Sequence, residues 1–181
     1  AYGFQIFFDF SGYTDIAIGL GLLTGISLPE NFHAPYLKPS LPRFWDNWHI
    51  TLTQWFRAYF FNPLTRLLRT KARWLPAWLV ILVTQLTTMV LIGMWHGITW
   101  NFVLWGAWHA IGLFINNRWS SATRPLSACV QERPALKGLT TALSILLTFH
   151  YVTLGWVWFA LPDVATSTRI FAGLFGWAVL P

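Results

Sequence analysis

Residues 74–117 read WLPAWLVILVTQLTTMVLIGMWHGITWNFVLWGAWHAIGLFINN, and none of these 44 positions holds Asp, Glu, Lys or Arg. A transmembrane helix needs about 20 consecutive, mostly apolar residues, so the run is long enough for two helices. Its middle holds a histidine with a glycine on either side, Gly93 and Gly97. The run therefore predicts two membrane spans, over 74–95 and 101–117, joined by a break between Gly93 and Thr99.

Further apolar segments extend this pattern on both sides of the central run. The 25 residues between Lys137 and Asp163 are also uncharged and predict a span over 138–161. Segment 4–23 is apolar enough to span although it carries two carboxylates, and a partial apolar segment covers 170–181. Together these segments predict an all-α, polytopic transmembrane protein.

The composition excludes a soluble protein. Only 10% of the 181 residues are charged and 55% are hydrophobic, whereas a soluble domain carries about 25% charged residues. The 13 Trp and 15 Phe also exclude a disordered chain, because such chains are poor in aromatic residues. The sequence opens without Met and both of its ends are apolar. We therefore expect residues 1–181 to be part of a single, larger multi-pass domain whose N-terminal spans are missing here.

Most of the basic residues lie in two segments, 66–73 and 118–137, which are separated by the two central spans. Two spans return the chain to the same side of the membrane, and an excess of Lys and Arg marks that side as the cytoplasm. The net charge of +6 is therefore a topology signal. We expect no nucleic-acid partner, because long apolar spans divide the basic residues.

Residues 41–61 predict one further helix, of amphipathic character. Ser40 suits its N-cap and Pro42 its first turn, while Asn62-Pro63 predicts its end. On a helical wheel one polar seam holds four candidate site residues: Asp46, His49, Thr53 and Arg57. Such a helix either lies on the membrane with a wet face or lines a water-filled cavity of the protein. The sequence leaves open whether it crosses or re-enters the membrane.

The predicted break in the central run makes His96 a second candidate for chemistry. Non-helical backbone at membrane depth survives only where it is buried in protein or lines a wet cavity. An ionisable group at such a position is a functional candidate, and Trp95 beside it is a candidate for the wall of a substrate pocket. The alternative is a turn histidine at the membrane surface.

Other polar residues lie inside the predicted spans. Asn101 and His109 share one stripe of the span 101–117 and are further candidates for a substrate pocket. The alternative for His109 is a packed, hydrogen-bonded histidine. Asp9 and Asp15 lie in the span 4–23. A lone buried carboxylate is costly, so each needs a partner or a wet cavity, and we expect pairing with another helix.

Several common catalytic motifs are absent from the sequence, among them GxSxG, HExxH, the Walker loop and GxGxxG. The five histidines have no short metal-ligand spacing, and Cys129 is the only cysteine. The sequence therefore predicts neither a metal site nor a bound cofactor.

Six short motifs follow one another in the order of a known family. They are FDFSGYTD (8–15), PENF (29–32), FW and WHI (44–50), WFR (55–57), WHG (95–97), and WG with His109 (105–109). Together they resemble the membrane-bound O-acyltransferase (MBOAT) family. Within that family they are most similar to the bacterial alginate O-acetyltransferases and the related D-alanyl and peptidoglycan acyl exporters. The resemblance covers roughly residues 4 to 118.

The resemblance implies a multi-pass enzyme of the bacterial inner membrane that moves an acyl group, in the first instance acetyl. The implied donor is a cytoplasmic thioester such as acetyl-CoA. The implied acceptor is a hydroxyl of an exported polysaccharide or cell-envelope glycan, often reached through a partner acyltransferase protein. The family's invariant histidine falls on His96 and its second active-site position on His49. A histidine base that takes the hydroxyl proton contributes about 10²–10⁴-fold.

Two other classes of protein stay open from the residues alone. In a transporter or channel, intramembrane Asp and His side chains would line an ion or proton path. A non-catalytic membrane scaffold is the third class. Acyl transfer predicts the loss of product acylation when a histidine is replaced, whereas transport predicts pH-driven flux through liposomes.

Overall fold

A computed structural model of the chain describes residues 1–125, 130 and 132–177. Its regular structure in that range is helical, which confirms the all-α class. The helices are α1 (Tyr2–Leu23), α2 (Leu41–Trp45), α3 (Ile50–Phe56), a π-helical turn (Arg57–Phe61), α4 (Asn62–Lys71), α5 (Ala77–His96), α6 (Trp100–Ala122), α7 (Pro134–Ala160) and α8 (Val164–Leu174). The chain divides into two compact units. One comprises Ala1–Pro63 and Ile115–His150, and the other Leu64–Phe114 and the chain from Tyr151 onward.

Three helices of the described chain, α1, α5 and α7, are long and apolar enough to cross a membrane. They coincide with the predicted spans 4–23, 74–95 and 138–161 to within a few residues, and they identify a membrane protein. Helix α6 contains the predicted span 101–117 but is not among the three, because the asparagines and the histidine on its polar stripe lower its mean hydropathy. Its crossing of the membrane stays a prediction.

The single helix predicted over 41–61 is wrong. Its start is confirmed, since the Ser40 hydroxyl accepts the Arg43 backbone N–H at 3.4 Å. The helix then stops at Trp45, because the next residues pair with the loop that precedes α2. The His33 N–H donates to the Asn47 carbonyl (3.1 Å) and the Ile50 N–H to the Asn31 carbonyl (3.0 Å).

The predicted end at Asn62-Pro63 is wrong as well, since the chain stays helical to Lys71. A proline inside an α-helix cannot donate its bond and clashes with the carbonyl four residues back. Here a wide turn precedes Pro63, in which the Asn62 N–H donates to the Arg57 carbonyl, five residues back. This π-helical turn accommodates the proline without ending the helix.

The two basic segments are less loop-like than the sequence suggests. Residues 66–71 belong to α4, and the segment 118–137 begins in α6 and ends in α7. The middle of that second segment, including Cys129, lies outside the described residues. The C-terminal helix also differs from the part of the predicted span 170–181 that the structure describes, since residues 178–181 lie outside the described residues. It starts at Val164, where the Asp163 carboxylate accepts the Thr166 N–H at 2.8 Å, and it ends at Leu174.

Aromatic side chains form the core of the first unit. Tyr36 contacts Phe44, Trp48 and Phe149 at ring-centroid distances of 6.0, 5.7 and 5.5 Å. Its hydroxyl also donates to the Gly3 carbonyl of α1 at 2.6 Å. The loop before α2 is thereby fixed against α1, and this loop carries the residues that pair with 47–50.

Two glycines set the packing of α5 on α6 in the second unit. A Cβ on Gly93 would overlap the Phe102 carbonyl, and one on Gly106 would overlap the Met89 carbonyl. The two backbones are therefore in direct contact. The sequence placed Gly93 in the break between the helices, but it is a buried residue of α5, and the break is only residues 97–99.

Candidate active site

His49 occupies the junction between α2 and α3 rather than the middle of a helix. Its backbone is left-handed, with φ 43° and ψ 56°, which is uncommon for any residue other than glycine. An isolated antiparallel bridge between Phe32 and Trp48 and the two flanking backbone bonds hold it there. The imidazole therefore points in a different direction from the one that it would have on a continuous helix.

The His49 ring is half-buried between α1 and the loop before α2. Phe10 presents its ring at 4.8 Å in an edge-on arrangement, and the His49 Nδ1 lies 3.2 Å from Asn31 Oδ1. His49 lies outside the three spans, and burial lowers its pKa from 6.5 to about 4. The ring is therefore neutral at physiological pH, which is the form that can accept a proton or a hydrogen bond.

The other members of the predicted seam make different contacts from those expected. Arg57 donates to Asp46 across 2.6 Å, in an ion pair with both side chains substantially exposed. The Thr53 hydroxyl donates to the Trp48 carbonyl at 3.3 Å. The four residues therefore do not form a seam on one helix. Asp46 and Arg57 form an ion pair across the break between α2 and α3, and His49 contacts Asn31 of the preceding loop.

His96 is the last residue of α5, which corrects its predicted place inside the break. The ring is half-buried among aromatic side chains of its own unit. Trp105 and Phe159 meet it edge-on at 5.5 and 5.0 Å, and Phe102 lies at 6.1 Å. Trp95, the neighbouring pocket candidate, is 57% exposed. His96 therefore lies at the end of a helix, with its ring partly exposed and largely surrounded by apolar side chains.

His109 and Asn101 are packed residues in the second unit. His109 is fully buried, with Trp105 at 5.0 Å and Tyr151 at 6.4 Å. Asn101 donates through Nδ2 to the Leu161 carbonyl (2.8 Å) and to the Ser167 hydroxyl (3.2 Å). These contacts support the packed interpretation of His109 and give Asn101 a role in fixing the turn between α7 and α8.

The carboxylates of α1 lie on its exposed surface. Asp9 borders an open groove of about 340 Å³ lined by side chains of this helix, among them Tyr2, Gln5 and Tyr13. Within the described chain, neither Asp9 nor Asp15 has an ion-pair partner, so the expected pairing with another helix stays a prediction. Among the residues that the structure describes, no three His, Cys, Asp or Glu side chains come together as metal ligands.

Sequence reasoning missed Asn31. This residue stands in the PENF motif, but its spacing from His49 carries no periodic signal, and only the pairing of residues 31–33 with 47–50 brings it to the ring. The two candidate histidines belong to different units, His49 to the first and His96 to the second.

Comparison with known proteins gives a consistent result. The model of the MBOAT, membrane-bound O-acyltransferase family matches residues 1–161. A peptidoglycan O-acetyltransferase of Helicobacter pylori is 34% identical over 97% of this chain and 30% of its own length. A probable alginate O-acetylase of Azotobacter vinelandii is 37% identical over 98% of this chain and 32% of its own length. A teichoic acid D-alanyltransferase of Streptococcus thermophilus is 35% identical over 88% of this chain and 39% of its own length. The chain thus spans roughly a third of the length of these relatives.

Proposed function

Because this chain belongs to the membrane-bound O-acyltransferase family, we propose that its protein transfers an acyl group from a thioester to a hydroxyl of an exported polysaccharide or cell-envelope glycan. The observation that carries the proposal is the family match over residues 1–161. The names of three relatives point to the same chemistry on peptidoglycan, alginate and teichoic acid. Acetyl is the first choice of acyl group, since two of these three relatives are acetyl-transferring by name.

In the proposed reaction, the acceptor hydroxyl attacks the thioester carbonyl carbon. A C–O bond forms, the C–S bond breaks, and His96 takes the hydroxyl proton and passes it to the departing thiolate. A base that acts in this way needs a neutral ring and a surround poor in water. The aromatic side chains of Trp105 and Phe159 against the His96 ring support this assignment.

We assign His49 to the orientation of donor or acceptor. Its ring is neutral at physiological pH and is held from one side by Asn31, so it can accept a hydrogen bond from a substrate without competing for the transferred proton. We propose that Asp46, Thr53 and Arg57 of the first unit contact the substrate, and likewise Trp95 of the second unit, since these side chains are at least partly accessible.

The proposed setting is the bacterial inner membrane, with several crossings of the chain. A cytoplasmic acyl thioester such as acetyl-CoA serves as donor, and no bound cofactor is needed, because the thioester already activates the carbonyl. A partner acyltransferase protein that delivers the acyl group to the exported glycan belongs to the same proposal. The basic segments 66–73 and 118–137 support a cytoplasmic face beside the donor.

The experiment compares the O-acyl content of exported glycans in cells that express the full-length protein with and without the His96→Ala substitution. We expect acylation to disappear at an unchanged level of protein in the membrane. His150→Ala is the matched control, since this histidine of α7 is exposed and its Nδ1 bonds to the Leu146 carbonyl of its own helix. Full acylation by a well-expressed His96→Ala variant would end the proposal.

A further inference from the structure

Three donors converge on one atom of the loop before α2. The Asn31 Oδ1 lies 3.2 Å from the His49 Nδ1, 3.2 Å from the Thr51 backbone nitrogen and 2.9 Å from the Thr51 hydroxyl. The Asn31 backbone takes part as well, because its carbonyl accepts the Ile50 N–H at 3.0 Å. One asparagine therefore binds the backbone on the C-terminal side of His49 and the His49 ring together.

These contacts determine which atom of the imidazole carries the proton. A backbone N–H can only donate, so the atom of Asn31 that faces Thr51 must be the amide oxygen and not the amide nitrogen. An amide oxygen can only accept, so the His49 Nδ1 that shares it must be the donor. In a neutral imidazole with its proton on Nδ1, Nε2 holds the free electron pair and is the acceptor.

The surroundings of the ring keep it in this neutral form. Phe10 and Phe32 cover it at 4.8 and 6.5 Å. Among the described residues of the adjoining elements, Asp9 and His33 are exposed and Asp46 is bound to Arg57. Burial alone accounts for the low pKa of His49.

The backbone at His49 is held in an uncommon conformation. A left-handed conformation is easier for glycine or asparagine than for histidine, yet histidine occupies it, locked by the bonds to residues 31 and 33. Unusual backbone conformations of this kind are concentrated at functional sites.

We propose that Asn31 is a positioning residue, which fixes the His49 imidazole in the Nδ1–H tautomer and so makes Nε2 the hydrogen-bond acceptor of the ring. The proposal rests on the proposed acyl transfer and on the role of His49 in it. Asn31 itself does not touch the reacting atoms. Its effect on the reaction passes through the ring that it orients.

The test measures the acyl-transfer rate of the full-length protein in membrane vesicles against pH, with acetyl-CoA as donor. Asn31→Leu keeps the approximate volume but removes the acceptor, and we expect the rate to fall by about 10- to 100-fold, the range seen for groups that orient metal-binding histidines. Asn31→Asp keeps an acceptor and adds a negative charge, which favours the imidazolium. We expect this variant to retain much of the rate at high pH. As the pH is lowered, its rate should begin to fall at a higher pH than the rate of the wild type.

Thr51→Val is the matched control. It removes only the hydroxyl bond to Oδ1 and leaves the backbone N–H in place, so we expect the rate to stay within about twofold of the wild type, in keeping with the modest net contribution of one such bond. Equal losses in Asn31→Leu and Thr51→Val, with an unshifted pH profile in Asn31→Asp, would show that Asn31 only supports the loop and would overturn the proposal.

The same set of variants separates this proposal from the proposed function. If His96→Ala abolishes transfer while Asn31→Leu leaves it intact, the positioning role fails and acyl transfer stands. If neither His96→Ala nor His49→Ala affects transfer, the proposed catalytic roles fail, and the Asn31 proposal fails with them.

Discussion

Three histidines of this chain have different surroundings in the structure. His96 ends a helix among aromatic rings, His49 is held by an amide in a left-handed backbone, and His109 is fully buried. Residue type and position in an uncharged run are enough to make His96 a candidate from the sequence. The amide that holds His49 could not be selected, because that contact depends on a pairing between two separate loop segments.

The proposed roles of His96 and His49 predict a specific pattern of kinetic losses. We expect His96→Ala to abolish detectable acylation and His49→Ala to remove much of it. Groups that act in the same step show non-additive losses, so the double variant should be scarcely worse than His96→Ala. The measurement is the initial rate of acyl transfer at matched protein levels. If His96→Ala retains a measurable rate and the loss in the double variant equals the product of the two single losses, the two residues act in independent steps.

The low pKa of His49 predicts a pH dependence of stability. An unfolded histidine binds a proton near pH 6.5, whereas His49 in the folded protein does so near pH 4. The unfolded state therefore gains protons first as the pH falls, and the folded state loses stability from about pH 6.5 to about pH 4. Melting temperatures of the detergent-solubilised protein measure this loss.

His49→Gln provides the comparison, because a glutamine does not titrate. Between pH 7.5 and pH 4.5, the melting temperature of the wild type should fall more than that of the variant. A difference that is constant over this range would contradict a buried, neutral His49.

At the scale of the helices, the uncharged tracts predict where α5 and α7 lie, and the apolar segment 4–23 predicts α1 despite its two carboxylates, because a span must be mostly apolar. The Ser40-Pro42 start of α2 is equally local and was also predictable. The break at residues 46–49 was not, since the cause is the pairing with residues 31–33. Gly93 misled the prediction for a related reason. A glycine ends a helix in one context and admits a neighbouring backbone in another.

The backbone contact between α5 and α6 predicts that these glycines tolerate no side chain. Gly93→Ala or Gly106→Ala would place a methyl group against a carbonyl of the other helix, and overpacking of this kind costs about 1–3 kcal/mol. Gly138→Ala in α7 is the control, because its Cβ would meet no atom within 4 Å. A gain of up to about 1 kcal/mol is expected there. Thermal unfolding in detergent distinguishes the two cases, and equal melting temperatures for all three variants would contradict the contact.

At the scale of the whole molecule, the positions of the basic residues predict its orientation in the membrane. If α5 and α6 both cross, residues 66–73 and 118–137 lie on the cytoplasmic side. Single cysteines at Thr70 and Ser121, introduced after replacement of Cys129 by Ser, should resist a membrane-impermeant thiol reagent in intact cells and react after permeabilisation. Labelling of either position from outside would refute this orientation, and labelling of only one of the two would also refute the crossing by α6.

The direct contact of α5 with α6 has a consequence for heat inactivation. Gly93 lies one helical turn before His96, so the Cα of the histidine is located by two touching main chains and not by side chains that can change rotamer. Warming that loosens side-chain packing leaves this position unchanged until the helix pair separates. We therefore expect the helix end that carries His96 to keep its position on heating until α5 and α6 separate.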